Sequence, residues 1–288
     1  KLRSMYVCGT KKDQDKYLLI PFDHIPGNAL RLESEDGTLQ AMLCTAMPEH
    51  MRKSLTALIE SAIGSNVLHQ REQDQDLLFQ ALHFSWYNRF STQGNASADH
   101  LHPSLSQKAG ASRTNHFQFC PRTSADYRNF KDIYLNLTKN LAPDVEIQVQ
   151  CCDSLPLNSN VPLFPFTGLV FNFNVSTKGH WDRGDLGFCF VMAFGNYEGG
   201  HLCLKEQGWV FDLRPGDFII FDSSGTTHFN LLYRGCCGSI VGHTDKEFLQ
   251  WMKDFNGWKN NIYLSATRRS ANNADEGTEY IPYDNLFG

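Results

Sequence analysis

The pattern of apolar positions changes character midway along the chain. In the first half, the short apolar runs Tyr17–Pro21 and Leu39–Cys44 predict strands. Over Glu49–Gly64, residues Met51, Leu55, Leu58, Ala62 and Ile63 recur at three- and four-residue spacing, which predicts a helix with one buried stripe, closed by Gly64. Asp76–Trp86 reads as a second helix. Thr123–Leu141 has the clearest helical period, with Ser124 as cap and Tyr127, Phe130, Ile133, Tyr134, Leu137 and Leu141 on one face. Ser91–Ser112 is rich in Ser, Asn, Gly, Ala and His with hardly any large apolar residue, and reads as a mobile loop. Loops of that length are usually functional or disordered.

From about Glu146 the period shortens. Strands are predicted over Glu146–Cys152, Leu169–Val175, Leu186–Phe194, His201–Lys205, Trp209–Leu213, Asp217–Phe221, Thr227–Tyr233 and Gly238–Thr244. Turn formers separate several of them: Gly199-Gly200, Gly208 and Pro215-Gly216. Lys246–Phe255 returns to a helical pattern. Short strands at this density predict an α+β fold, a double-stranded β-helix (jelly-roll) core flanked by helices from the N-terminal half. One catalytic domain is expected over residues 1–288, with a helix-rich flank at 1–145, the core at 146–262 and a polar tail at 263–288.

Composition narrows the class. With 41% apolar and 12% aromatic residues, 288 residues suffice for a sizeable core, which excludes a disordered or fibrous chain. A net charge of -5 excludes a globally basic nucleic-acid coat, so any contact with a polyanion must come from a local patch. Candidate cations are Lys108, Arg113, Arg122, Arg128 and Lys131, with the doublets Lys11-Lys12 and Arg268-Arg269. The longest near-apolar stretch, Leu186–Phe194, has nine residues and is too short for a bilayer span, so no membrane partner is expected. No secretory leader is visible in the sequence, which starts at Lys1 without a Met. Nine cysteines, an odd count that includes the adjacent pairs Cys151-Cys152 and Cys236-Cys237 and no Cys-x-x-Cys, point to a reducing compartment rather than a disulfide framework.

The strongest chemical signal is Gly179-His180-Trp181-Asp182-Arg183-Gly184-Asp185. In extended chain, residues two apart point the same way, so His180 and Asp182 project together. His228, in Thr226-Thr227-His228-Phe229-Asn230, follows the strand after the turn Arg214-Pro215-Gly216-Asp217 and can close the triangle. Two His and one carboxylate on one face leave open positions on an octahedral metal, the arrangement used by non-haem Fe(II) oxygenases.

At this point the chain resembles the Fe(II)/2-oxoglutarate dioxygenases of the TET/JBP group, the fungal branch most of all. The matching pieces are Asn172-Phe173-Asn174-Val175, Gly179-His180-Trp181-Asp182, Phe194-Gly195-Asn196-Tyr197-Glu198-Gly199-Gly200, Leu213-Arg214-Pro215-Gly216-Asp217, Thr227-His228-Phe229-Asn230 and Ser239-Ile240-Val241. They lie between Asn172 and Trp258; the N-terminal half carries no matching motif. The resemblance implies iron held by His180, Asp182 and His228, and 2-oxoglutarate as co-substrate. The implied reaction oxidises a methyl group on a base of double-stranded DNA, 5-methylcytosine first and N6-methyladenine second, with the base flipped out of the duplex. A monomer acting in the nucleus is the corresponding expectation.

One position departs from that family. Its members place an Arg two residues before the Ser of the last core strand, and here that position, counted from Ser239, is Cys237. A thiol forms no charge-assisted pair with a carboxylate. Ser239, Arg234, Asn172 and Asn174 remain as candidate co-substrate contacts, and ascorbate is an alternative co-substrate. For the substrate, alternation puts Cys237, Ser239, Val241, His243 and Asp245 on one face, and Asp185 stands where the family places a contact to the base. Gly179 is a candidate for close approach of the substrate, and Trp181 for an aromatic plate. Two other readings stay open: a protein or small-molecule hydroxylase with the same iron chemistry, and a non-catalytic binding module.

Overall fold

The computed structural model describes residues 17–64, 71–74, 77–85, 141, 143–154, 161, 163–174, 177–246 and 248–254, with short strand segments at 6–7, 10–11 and 104–105. Fifteen strands are present among the described residues: β1 Tyr6–Val7, β2 Thr10–Lys11, β3 Leu18–Ile20, β4 Ala29–Glu33, β5 Leu39–Cys44, β6 Arg71–Asp74, β7 Leu77–Ser85, β8 Ser104–Leu105, β9 Gly168–Phe173, β10 Phe188–Gly199, β11 Leu202–Leu204, β12 Trp209–Phe211, β13 Phe218–Asp222, β14 His228–Asn230 and β15 Tyr233–His243. The helices are α1 Glu49–Gly64, α2 Glu146–Asp153 and α3 Phe248–Asp254. None is long and apolar enough to cross a membrane.

The large sheet runs β4-β5-β13-β10-β15-β9-β7-β6, with β8 added to β7, and the small one runs β14-β11-β12-β3. From β9 onward the chain passes between the two sheets, which makes the core a double-stranded β-helix. The large-sheet pairings are antiparallel, whereas β3 lies parallel to β12. Both faces of the large sheet are covered. On one face Cys189, Ala193, Ile219, Phe221, Ala41 and Leu43 pack against Leu202, Leu204 and Phe211 of the small sheet. On the other, Phe190, Met192, Phe194, Phe218, Ile220 and Ile240 meet Met51 and Leu55 of α1. This double burial explains why β10 reads as an unbroken apolar run rather than an alternating one. Each large side chain buried this way contributes roughly 1.5–3 kcal/mol.

Three expectations are corrected. Asp76–Trp86, read as a helix, is strand β7 over Leu77–Ser85, paired antiparallel with β9. Its Leu, Ala and Gln favour a helix locally, and pairing with β9 on one side and with β6 and β8 on the other overrides that preference. Glu146–Cys152, read as a strand, is helix α2, because its buried residues Gln148, Cys151 and Cys152 are spaced by three and four positions rather than two. The N-terminal half is not simply a helix-rich flank, since β3 extends the small sheet and β4 to β8 extend the large one. Within the expected loop at 91–112, Ser104 and Leu105 pair with Ser85 and Phe84. The remainder of that loop, the helix expected at Thr123–Leu141 apart from Leu141, the tail at 263–288 and the cations at 108–131 and 268–269 lie outside the described residues.

Candidate metal centre

His180 and His228 face each other as an isolated bridge that continues the edge of the small sheet. The His180 amide donates to the His228 carbonyl at 3.2 Å, and the His228 amide donates back at 2.8 Å. This exchange puts the two rings on one side, with centroids 4.4 Å apart. Asp182, two residues after His180, is tethered to the end of β13, where its amide donates to the Ser223 carbonyl at 2.9 Å. One ligand atom from each of His180, Asp182 and His228 lies within 4.8 Å of the others.

The outer ring nitrogens decide whether this trio fits a metal. His180 Nδ1 is 2.7 Å from the Lys178 carbonyl, and His228 Nδ1 is 3.0 Å from the Thr226 carbonyl. A carbonyl only accepts, so both Nδ1 atoms carry the proton and both Nε2 atoms are the inward donors. His228 Nε2 lies 3.4 Å from Asp182 Oδ2, and His180 Nε2 lies 3.8 Å from Asp182 Oδ1. Two oriented imidazoles and one carboxylate on a single side match the donor set of a ferrous oxygenase site.

The electrostatics couple His228 to Asp182. Burial opposes charge on His228, yet the hydrogen bond and negative charge of Asp182 outweigh it and raise the ring above its ordinary value of 6.5. Burial likewise favours protonated Asp182, but the His228 bond and the His228, His180 and His243 charges hold it below the usual carboxylate range. A raised pKa means that the folded metal-free chain grips this proton more tightly than the unfolded one. That stabilisation is therefore complete below the unfolded value of 6.5 and is lost as pH rises through the folded value. Coordination needs the neutral ring, so metal affinity moves the opposite way. Below the raised His228 value, the apparent affinity for Co(II) should fall about tenfold per pH unit as one proton is displaced per ion. Titrations of metal-stripped protein across neutral pH check this, and a flat profile would remove His228 from the ligand set.

Beside the trio, a second cluster forms from Asp185, His243 and Asp245, again with one ligand-type atom of each within 4.8 Å of the others. Residues 184–186 zip onto 244–246 through Leu186 N–H to the Thr244 carbonyl (2.7 Å) and Lys246 N–H to the Gly184 carbonyl (2.9 Å). Asp185 is 8% exposed and accepts a hydrogen bond from Ser223 Oγ at 2.8 Å. Burial raises it to about 6, with Asp182 adding to the rise while His243 and Ser223 oppose it. The His243 ring lies against Gly168, where a Cβ would stand 2.6 Å from it, so this glycine makes room for the imidazole.

The other expected residues divide. Asn172 Nδ2 donates to Ser239 Oγ at 3.3 Å, and both stand in register with Ala193, which faces the space between the sheets. Asn174 does not join them: it is exposed, has φ 54 and ends the strand by donating its amide to the Cys237 carbonyl. Arg234 does not join them either. It has the opposite parity to Ser239, is exposed and stands opposite Glu198. Trp181 is 45% exposed with the Arg183 guanidinium 4.9 Å from its ring centroid. A Cβ at Gly179 would make only ordinary contact with Thr227 and Phe229, so its backbone alone does not require glycine. Ser223, which grips Asp182 through its carbonyl and Asp185 through its hydroxyl, was not foreseen. It ends a strand as an ordinary turn residue would, and nothing in its own sequence context marks it.

No protein-family model matches the chain. Over 63 residues it is 40% identical to the bifunctional helicase and thymine dioxygenase JBP2 of Leishmania major, and 38% identical to that of Leishmania tarentolae. The matched segment is 20% of this chain and only 6% of the length of each relative. Among solved structures, NgTET1 in complex with 5mC DNA is similar over 81% of this chain and 84% of that one, at 14% identity and a TM-score of 0.47. A 2OG-Fe(II) oxygenase-family oxidoreductase from Burkholderia pseudomallei is similar over 72% of this chain and 88% of that one, at 14% identity and a TM-score of 0.41.

Proposed function

We propose that the chain is an Fe(II)- and 2-oxoglutarate-dependent dioxygenase that oxidises the methyl group of a modified base in double-stranded DNA. The observation that carries it is the His180–Asp182–His228 trio, whose two rings are tied through Nδ1 to backbone carbonyls so that both Nε2 atoms face one carboxylate. Iron bound there would supply oxygen activation. The net reaction turns methyl, oxygen and 2-oxoglutarate into hydroxymethyl, succinate and carbon dioxide. The shared segment with a thymine dioxygenase supports base oxidation over hydroxylation of a protein or a metabolite.

The chain's own share is to hold and aim the base. Asp185 and His243 stand beside the trio, and at neutral pH Asp185 is mostly ionised, given its value of about 6. It therefore accepts from the exocyclic amino group that cytosine and adenine both carry, and His243 and Asp245 flank it. Trp181, exposed at the same edge, offers a face on which a flipped base or its neighbour stacks. Ser239 and Asn172 offer neutral polar contacts to the co-substrate. Among the arginines whose side chains are described none joins them, since Arg52 and Arg214 bond to Asp217, Arg31 to Asp144, Arg183 stacks on Trp181, and Arg234 is exposed on the other face of its strand. That observation favours a second reading of the co-substrate alone, with ascorbate in place of 2-oxoglutarate. Action on nuclear DNA as a monomer completes the reading.

The test is mass spectrometry of nucleosides after incubation with iron, either co-substrate, and duplexes carrying 5-methylcytosine or N6-methyladenine. The expected product is the hydroxymethyl base. Replacing Asp185 by Ala is expected to lower activity about 10- to 100-fold and to blunt the choice between bases, through loss of a hydrogen bond worth about 1–3 kcal/mol. Unchanged bases in every duplex would defeat the reading. Co-substrate turnover without base oxidation would redirect it to another substrate.

A further inference from the structure

Glu206 stands in the turn between β11 and β12, outside the trio, and its carboxylate bonds twice to one residue. Thr227 N–H donates to Glu206 Oε2 at 2.7 Å, and Thr227 Oγ1 donates to Oε1 at 2.7 Å. Lys205 N–H adds a third bond by donating to the Thr227 carbonyl at 2.9 Å. Thr227 is 6% exposed and immediately precedes His228.

The peptide unit between Thr226 and Thr227 joins this clamp to the imidazole. It is trans, so its N–H and its C=O point in opposite directions in one rigid plane. The N–H is held by Glu206, and the C=O accepts the His228 Nδ1 proton at 3.0 Å. Carboxylate, peptide and ring thus form a single hydrogen-bonded chain, in which each bond polarises the next. Tilting the plane would move the carbonyl that orients the ring.

The geometry points to Glu206 as a positioning residue that sets both the orientation and the donor strength of His228 through the 226–227 peptide. A carboxylate commonly serves a metal-bound imidazole by direct contact. Here it acts through one intervening amide. Gln207 is the natural control: its Nε2 reaches Thr226 Oγ1 at 3.4 Å and Gln40 Oε1 at 3.1 Å, so it touches the same turn without touching that peptide. Glu206 is itself exposed, so its replacement should leave the fold standing.

This inference rests on the metal-centre reading, and the experiment separates the two. Co(II) affinity and thermal melting are measured for the metal-stripped wild type and for E206A, E206Q, T227V and Q207A. The Nδ1 proton of His228 is followed by NMR without metal. E206A should bind Co(II) about 10- to 100-fold more weakly, the usual cost of removing a partner that supports a ligand. Its Nδ1 proton should exchange faster while the melting temperature hardly moves. E206Q keeps one acceptor and should recover part of the affinity. T227V keeps the hydrogen bond from the backbone N–H of residue 227 to Glu206, and Q207A leaves it untouched; both should stay within about twofold of wild type. E206A binding Co(II) as tightly as wild type, with an unaltered Nδ1 proton, overturns the inference. Should E206A melt early, E206Q decides by the same two readings. A wild type that binds no Co(II) sinks the metal-centre reading instead, and the Nδ1 proton in E206A then judges the clamp alone.

Discussion

Replacing His180 by Ala, or Asp182 by Ala, is expected to reduce base oxidation by about 10³-fold or more while leaving the folded structure intact. A bound metal contributes several kcal/mol to the transition state, and each 1.36 kcal/mol is about tenfold in rate. Two donors left of three cannot hold the ion in a fixed orientation. The fold should tolerate the change because the two side chains are 35% and 39% exposed, at the open edge of the roll rather than in its packed interior. Exposed substitutions usually cost within about 0.5 kcal/mol. The Asp182 variant carries a second, independent reading. Burial lowers His228 and the Asp182 carboxylate is the main influence raising it, so without that carboxylate only the Thr226 carbonyl and the Asp185 charge oppose burial and the ring should titrate lower. Product analysis, circular dichroism and an NMR titration of the His228 ring on the same preparations check all three. Activity retained in either variant would dismiss the trio.

Several parts of this architecture were legible in the sequence for physical reasons. The core strands from β9 onward alternate or run continuously apolar between glycine turns, and most expected boundaries fall within a few residues of the observed ones. His180, Asp182 and His228 were legible because one alternation and one strand return suffice to bring them together. The same alternation also separates Arg234 from Ser239. Odd positions 237, 239, 241 and 243 share a face, so Arg234 belongs with Cys236 and Ile240 on the other. What resisted sequence reading was contact set by register between distant strands. Glu206 meets Thr227 because β11 pairs with β14 in one particular offset, Leu204 opposite His228. Ser223 meets Asp182 because the loop carrying the ligands folds back over the end of β13. Neither offset follows from residue types alone. Helix α2 is hidden for a different reason: Ile147, Val149 and the cysteines suit a strand by type, and only the spacing of the buried set shows a helix.

The second large effect is on stability, and it comes from the opposite end of β13. Asp217 is fully buried at 0% exposure and takes the Arg52 guanidinium at 2.7 Å. It also accepts from the Arg214 backbone amide at 2.9 Å and from Arg214 Nε at 3.0 Å. Arg52, 7% exposed in its side chain, further donates to the Met47 carbonyl at 2.8 Å and the Thr45 carbonyl at 3.0 Å. The cluster therefore ties α1, the end of β5 and the turn entering β13 together. Replacing Asp217 by Ala strands a buried guanidinium without its counter-ion, which costs about 3–5 kcal/mol. For a chain of this size that is a fall in melting temperature on the order of 10 °C. Asp217→Asn keeps the shape and some hydrogen bonds and should fall between. Pairing Asp217→Asn with Arg52→Met should recover much of the loss, because the stranded charge goes with the arginine. Urea unfolding of the four proteins measures it. At temperatures where it stays folded, the Asp217→Ala protein should still bind Co(II) as the wild type does, because Ser223 and the ligands it holds lie at the far end of the strand. A variant that kept its melting temperature would show that Arg52 reaches water once the carboxylate is gone, and that this corner is looser than its packing implies.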